Sequence, residues 1–225
     1  MKKSANKKFT LILICVGIAL IMVAVGLVLF SHFGGKMAQT NAKEIVSKMY
    51  SLMPNVKNGA PDNRSNVTMP MLEIDGEDFV GIIEVPNFSK TLPIYSKWNA
   101  SKVTKYPCRY MGSMYDGSLI IGGCDNDGQF DFVKEISNGD TVLVTDTTGL
   151  RFKYTVTDIN RTKDVSTENL TSQEADLILF ARNTYSLDYT VIYCSLVTGE
   201  SISAKERETG FTQMMELALK TAISL

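Results

Sequence analysis

Two apolar runs that each end on a cysteine decide how this sequence is interpreted. The first is SLIIGGCDN at Ser118–Asn126, and the second is YTVIYC at Tyr189–Cys194. Both have the length of a β-strand, and strands that end in reactive side chains can bring those side chains together at one rim of a sheet. We therefore predict that the sulfur atoms of Cys124 and Cys194 are neighbours in one cleft.

The composition is that of one domain with appendages and favours no nucleic-acid partner. The chain has 225 residues and a formal net charge of -1. Its four cysteines are too few for a disulfide framework, and it has no C-x-x-C pair and no second histidine. The loop from Asp125 to Asp131 fails the EF-hand pattern at both ends. The sequence thus predicts no metal and no cofactor, and it leaves the oligomeric state open.

The N-terminus has the pattern of a membrane anchor. Residues 1–8 carry four lysines and no acidic residue, and residues 9–30 carry no charge. That run can span the hydrocarbon of a membrane, whereas the apolar part of a cleaved signal peptide is usually shorter. We predict a cytoplasmic tail at 1–8, a transmembrane helix at 9–30, and an extracytoplasmic remainder of a single-pass cell-membrane protein. A cleaved signal peptide is the alternative.

The remaining chain divides at about residue 68. Residues 31–68 are predicted to form an amphipathic helix at Ala38–Met53 and a polar linker. Residues 69–225 are predicted to form a mostly β domain, a barrel or sandwich, because short alternating runs are separated by turn signals. Its clearest strands are Phe79–Val85, Leu92–Tyr95, Ser118–Gly122, Thr141–Asp146, Phe152–Ile159 and Tyr189–Cys194, and its helices are Gln129–Ile136, Gln173–Phe180 and Phe211–Leu225.

The ordered motifs of this domain resemble those of the sortases, and the resemblance covers about half of the chain. VGIIEVP at Val80–Pro86 is similar to the family's opening G-x-I-x-I-P strand, and DGSLIIGG before Cys124 is similar to G-x-x-x-I-A-G-H. GDTV after Phe130, the YTV of Tyr154–Val156, and VIYC at Val191–Cys194 follow in the family's order. The resemblance implies a closed barrel of about eight strands with short helices.

The resemblance also implies an activity: a cysteine transpeptidase or peptidase that cuts sorting signals of secreted proteins and transfers them to an amine acceptor, often in the cell wall. Cys194 is then the nucleophile, and Cys124 stands where the family has its catalytic histidine. Arg207 lies at the distance expected for the arginine that supports the oxyanion. The alternative is a catalytically degenerate sortase-like domain that binds a peptide or a partner protein.

Several roles stay open for these residues. Cys194 can be a small apolar residue that ends a buried strand. Cys124 can be a relic at a dead site, a disulfide partner of Cys194, or part of altered thiol chemistry. The aromatic and basic residues around Cys108 can border a substrate groove, although core packing is the default for such residues. These residues are Trp98, Tyr106, Arg109 and Tyr110.

Overall fold

The computed structural model describes residues 3–59, 68–184 and 186–197. Arg207 and the predicted helix at Phe211–Leu225 lie outside these ranges. The helices are α1 (Lys3–Leu52), α2 (Thr167–Leu170) and two 3-10 turns (Pro86–Phe88 and Asp131–Lys134). The strands are β1 (Lys57–Asn58), β2 (Leu72–Ile74), β3 (Glu77–Val85), β4 (Lys90–Tyr95), β5 (Cys108–Met111), β6 (Leu119–Cys124), β7 (Thr141–Asp146), β8 (Leu150–Thr162), β9 (Leu177–Arg182) and β10 (Tyr189–Leu196).

Strands β3 to β10 close into an eight-stranded barrel. Around the ring the order is β3, β4, β5, β6, β9, β10, β8 and β7, and β7 pairs back onto β3. The β4–β5 and β6–β9 pairs are parallel, and the other pairs of the ring are antiparallel. The predicted mostly β, closed barrel with few helices is therefore confirmed. The hairpin predicted at Asp146–Leu150 joins β7 to β8.

The predicted helix at Gln173–Phe180 is wrong, because this segment provides most of β9. Leu177 and Leu179 face the main core, while Ile178 and Phe180 belong to a second apolar cluster on the outer side of the sheet. A strand that is buried on both faces reads as one continuous apolar run, which periodicity cannot distinguish from a buried helix. By contrast, the helical turn expected within Gln129–Ile136 is present at Asp131–Lys134.

A bulge in β8 sets which side chains face the core near its end. Val156 pairs with Cys194, and Asp158 pairs with Tyr193, so Thr157 is an extra residue. Such a bulge reverses the alternation of faces along the strand. Val156 before it and Ile159 after it consequently both contact the main core.

The last turns of α1 are part of the barrel domain. Five apolar side chains of this segment are buried in the main core: Ala42, Ile45, Val46, Met49 and Met53. Lys48 pairs with Asp75, in the turn between β2 and β3, at 2.8 Å. Among the residues that the structure describes, none of the helices combines the length and the apolarity that a membrane crossing needs.

A polar network fastens α1 to two strands. Arg151 on β8 pairs with Glu84 on β3, and its Nε donates to Thr145 Oγ1 at 2.9 Å. The phenol of Tyr50 on α1 is hydrogen-bonded to Glu84, and burial raises the pKa of both Tyr50 and Glu84. Removing one member would leave a poorly solvated charge or hydroxyl beside the core.

Candidate functional site

Three neighbouring strands meet at one rim of the barrel. Strands β6 and β9 are parallel, so their carboxyl ends lie side by side, and β10 starts beside the end of β9. The register places Cys124 opposite Arg182, and Arg182 opposite Tyr189. These three residues, which we call the rim row, hold a thiol, a guanidinium and a phenol at the edge where strands end and loops begin.

Cys194 is not at this rim. Strand β10 continues to Leu196, and Cys194 lies between Leu177 on β9 and Val156 on β8. Five residues of β9 separate the level of Leu177 from that of Arg182, which is about 17 Å along a strand. The predicted neighbourhood of the Cys124 and Cys194 sulfurs is therefore wrong, and a disulfide, which needs Cα atoms within about 7 Å, is excluded between them in this fold. All four cysteines are free thiols.

Burial makes Cys194 a poor nucleophile. Its exposed fraction is 0 %, and it belongs to the main core. Burial raises the pKa of the Cys194 thiol to about 12, so the thiol is almost entirely protonated near neutral pH. The catalytic role predicted for Cys194 stays a prediction, but its surroundings match the alternative of a small apolar residue in a buried strand.

Cys124 is more accessible than the other two barrel cysteines, and its surroundings shift the pKa of its thiol in both directions. The residue is half-buried, whereas Cys108 and Cys194 have exposed fractions of 0 %. Burial raises the pKa of the Cys124 thiol, the guanidinium of Arg182 lowers it, and the carboxylate of Asp125 raises it again, with a net increase. Burial also raises the pKa of the Cys108 thiol to about 11. Cys124 is thus the barrel thiol with the best access and with a cation close by.

Hydrogen bonds connect the loop after Cys124 to the loop after Arg182. The backbone N–H of Asp125 donates to the carbonyl of Arg182 at 3.2 Å, and Thr184 Oγ1 donates to the carbonyl of Asp125 at 2.5 Å. Lys134 pairs with the buried carboxylate of Asp125 at 2.7 Å. Gln129 accepts from the N–H of Cys124 at 3.2 Å. In the described part of the chain no side chain is hydrogen-bonded to the Cys124 thiol, so no general base is in place there.

An aromatic layer covers the outer side of the sheet next to the rim row. We use this name for Trp98, Tyr110, Phe180 and Tyr189. Trp98 lies 5.4 Å from Tyr110 and 5.6 Å from Phe180 between ring centroids, and Tyr189 lies 6.2 Å from Phe180. Phe180 is buried beneath the layer, whereas Trp98 is 40 % exposed. Trp98 and Tyr110 therefore form a surface, while Tyr106, from the same stretch, is buried in the core.

Gly122 allows the rings of Phe180 and Trp98 to approach β6 closely. A Cβ atom at this position would stand 2.4 Å from Phe180 Cζ and 2.5 Å from a ring carbon of Trp98. Both distances are far below ordinary van der Waals contact, so a side chain here would displace the rings. The aromatic layer depends on the glycine.

No metal centre is evident in the part of the chain that the structure describes. That part contains no group of three or more His, Cys, Asp or Glu side chains able to hold an ion. The acidic loop after Cys124 is engaged by lysines, since Lys134 pairs with Asp125 and Lys90 pairs with Asp131 at 2.7 Å. These pairs engage two of the three carboxylates between Asp125 and Asp131.

Arg182 and Tyr189 are the residues that sequence reasoning missed. Arg182 is the polar residue that ends the apolar run Leu177–Ala181, the same signal that identified Cys124. It was missed because this run was assigned to a helix. Tyr189 was seen only as the start of a strand, and its position beside Arg182 follows from a long-range register.

A family model described as the Sortase domain matches residues 83–209, more than half of the chain. A search of curated proteins gives no match. Sortase A of Listeria monocytogenes is 18 % identical, with 59 % of this chain and 97 % of that chain covered and a TM-score of 0.48. A Sortase D5 transpeptidase of Clostridium perfringens is 15 % identical, with coverages of 73 % and 98 % and a TM-score of 0.47. Sortase C-1 of Actinomyces oris is 22 % identical, with coverages of 54 % and 76 % and a TM-score of 0.45. On the match of the family model, this chain belongs to the sortase family.

Proposed function

We propose that this protein is a membrane-anchored, extracytoplasmic member of the sortase family that binds a peptide segment of a secreted protein at the rim row without acyl transfer. The observation that carries the proposal is the content of the rim row: one thiol, one guanidinium and one phenol. The second thiol, on Cys194, lies in the core about five residues along the strands from this row.

The chemistry of acyl transfer supports this choice. The reaction needs a thiolate to attack the carbonyl, an acid to protonate the leaving amine, and donors for the oxyanion. Arg182 is suited to the last task. Burial raises the pKa of each of the three barrel thiols, and the single histidine of the chain, His32, lies in α1 and outside the barrel.

The proposed anchor is the apolar run at residues 9–30, which lies within α1. In the described part of this run, large apolar side chains point to solvent on all sides of the helix, for example Ile12 at 61 %, Met22 at 71 % and Val25 at 52 % exposure. A helix with apolar residues all round needs a lipid or protein environment. The four preceding lysines favour a cytoplasmic N-terminus and an extracytoplasmic barrel.

One observation favours a second function, a cysteine transpeptidase that uses Cys124. Burial raises the pKa of the Cys124 thiol, and Arg182, which lies opposite Cys124 in the β6–β9 pair, offsets part of that increase. A cation next to an accessible thiol is a common way to activate a nucleophile. In this version the sulfur of Cys124 attacks a peptide carbonyl of the sorting signal, the scissile amide bond breaks, and its amine leaves with the proton of the thiol. An amine acceptor then attacks the thioester and releases Cys124 as the thiol.

Intact mass spectrometry and a binding assay separate the two functions. The full chain in detergent micelles is mixed with sorting-signal peptides that carry a fluorophore, and binding is read by anisotropy. Binding without any covalent adduct, unchanged in Cys124→Ala and Cys194→Ala, supports peptide recognition. A thioester adduct that Cys124→Ala abolishes and Cys194→Ala retains would establish the transpeptidase instead. An adduct lost only in Cys194→Ala would contradict both.

A further inference from the structure

Arg182 is an exposed cation without a carboxylate partner among the described residues. The neighbouring acids are engaged elsewhere, since Asp125 pairs with Lys134 and Asp188 accepts hydrogen bonds from Asn183 and Ser186. Other barrel cations do have partners, such as Arg151 with Glu84 and Lys102 with Glu77. The guanidinium of Arg182 is therefore available to an anionic group from outside.

The register places this cation beside an apolar surface on the same face of the sheet. Arg182 and Phe180 are two residues apart on β9, so their side chains share the outer face, where Trp98 covers Phe180. Residues two apart on a strand are about 6.6 Å apart. The surface thus offers a cation, Arg182, and an exposed aromatic ring, Trp98, which lies over Phe180, the residue two positions before Arg182.

An extended peptide has the same spacing between side chains on one side of its backbone. We propose that the ligand of the rim is an acidic peptide, in which a carboxylate side chain pairs with Arg182 and an apolar side chain two positions away lies on the aromatic layer. The inference rests on the proposed peptide recognition and specifies its substrate class. The guanidinium can hold a carboxylate with two parallel hydrogen bonds.

Three synthetic peptides test this inference. Each is fluorescein-labelled at the N-terminus, amidated at the C-terminus, and has the symmetric sequence Gly-Ser-Leu-Ser-X-Ser-Leu-Ser-Gly, with X as Glu, Gln or Lys. The symmetry makes the direction of binding irrelevant. Anisotropy titrations use the full chain in detergent micelles at low salt, with wild type, Arg182→Glu, Trp98→Ala and a control, Arg161→Glu. Arg161 on β8 lies opposite Thr190 on β10 in the strand register. Because side chains alternate along a strand, the Arg161 side chain lies on the face of the sheet opposite to that of Arg182.

The expected result is a preference of about fivefold for the Glu peptide over the Gln peptide, as for one partly exposed ion pair, with a steeper preference over the Lys peptide. Arg182→Glu should reverse the order, Arg161→Glu should preserve it, and added salt should weaken it. Equal binding of all three peptides, lost in Trp98→Ala but not changed in Arg182→Glu, would overturn the acidic ligand and leave peptide recognition standing. Absence of binding by any peptide, with sorting-signal peptides also failing, would overturn both proposals.

Discussion

Replacing Gly122 with alanine tests whether the aromatic layer is packed as tightly as the structure indicates. The new Cβ would stand 2.4 Å from Phe180 and 2.5 Å from Trp98. Phe180 is buried and has little room to move, whereas Trp98 is 40 % exposed and can move away from the sheet into solvent. Overpacking of this kind costs about 1–3 kcal/mol. The backbone at Gly122 has no positive φ, so alanine recovers about 0.5–1 kcal/mol of strand propensity. We expect a net loss of up to about 2.5 kcal/mol in the free energy of unfolding.

The chain has a single tryptophan, which makes the displacement directly measurable. Trp98 leaving Phe180 and Tyr110 should shift its emission maximum to longer wavelength, and urea unfolding followed by circular dichroism should report the loss of stability. Gly123→Ala is the matched control. Its Cβ would stand 2.8 Å from Phe130 on the inner face, so it should destabilise the barrel without moving the tryptophan emission. An unchanged emission maximum and an unchanged unfolding free energy in Gly122→Ala would refute the packing described for the layer.

The remaining predictions concern the thiols and the polar network. At pH 8 in the folded protein, Cys124 should react with iodoacetamide well before Cys194, whose pKa burial raises to about 12; equal rates would contradict the burial described for Cys194. Denatured, unreduced protein should titrate four thiols in wild type and three in Cys124→Ser, whereas a disulfide would lower the wild-type count. Arg151→Met should cost about 2–4 kcal/mol in urea unfolding, because it leaves Glu84 unpaired near the core. Burial raises the pKa of Glu84 above its ordinary value of 4.5. The contribution of Glu84 to the free energy of unfolding is therefore fully present below pH 4.5 and falls as the pH rises. Glu84→Gln should flatten this pH dependence in unfolding curves recorded from pH 4 to 8.

The alternating strands were predictable from sequence, and β9 was not. The runs at Phe79–Val85 and Thr141–Asp146 lie within β3 and β7, and the turn at Gly149 joins β7 to β8 as expected. These strands carry local signals of period and turn chemistry. The run at Leu177–Ala181 carries neither, because both of its faces are covered and its neighbours in space are far away in sequence.

The candidate site was half predictable for the same reason. Cys124 lies at the end of a strand, as predicted, and its chemical role stays a prediction. Which strand ends beside it depends on the parallel β6–β9 pairing, which is set by a crossover through β7 and β8 rather than by any local pattern. The sequence interpretation expected the end of β10, rather than the end of β9, to lie beside Cys124. It therefore chose Cys194 as the neighbour of Cys124 and overlooked Arg182. The family model matches residues 83–209 as a whole, and this match does not need the two sulfurs to be neighbours.

Helix α1 is continuous from Lys3 to Leu52, and its last turns are embedded in the barrel. With the proposed anchor at 9–30, the number of residues between the membrane and Ala42 determines which way the rim row faces in the plane of the cell surface. One residue inserted in that interval would rotate the barrel by about 100° around the helix axis. Seven inserted residues would return the barrel close to its original orientation and move it about 10 Å farther from the membrane.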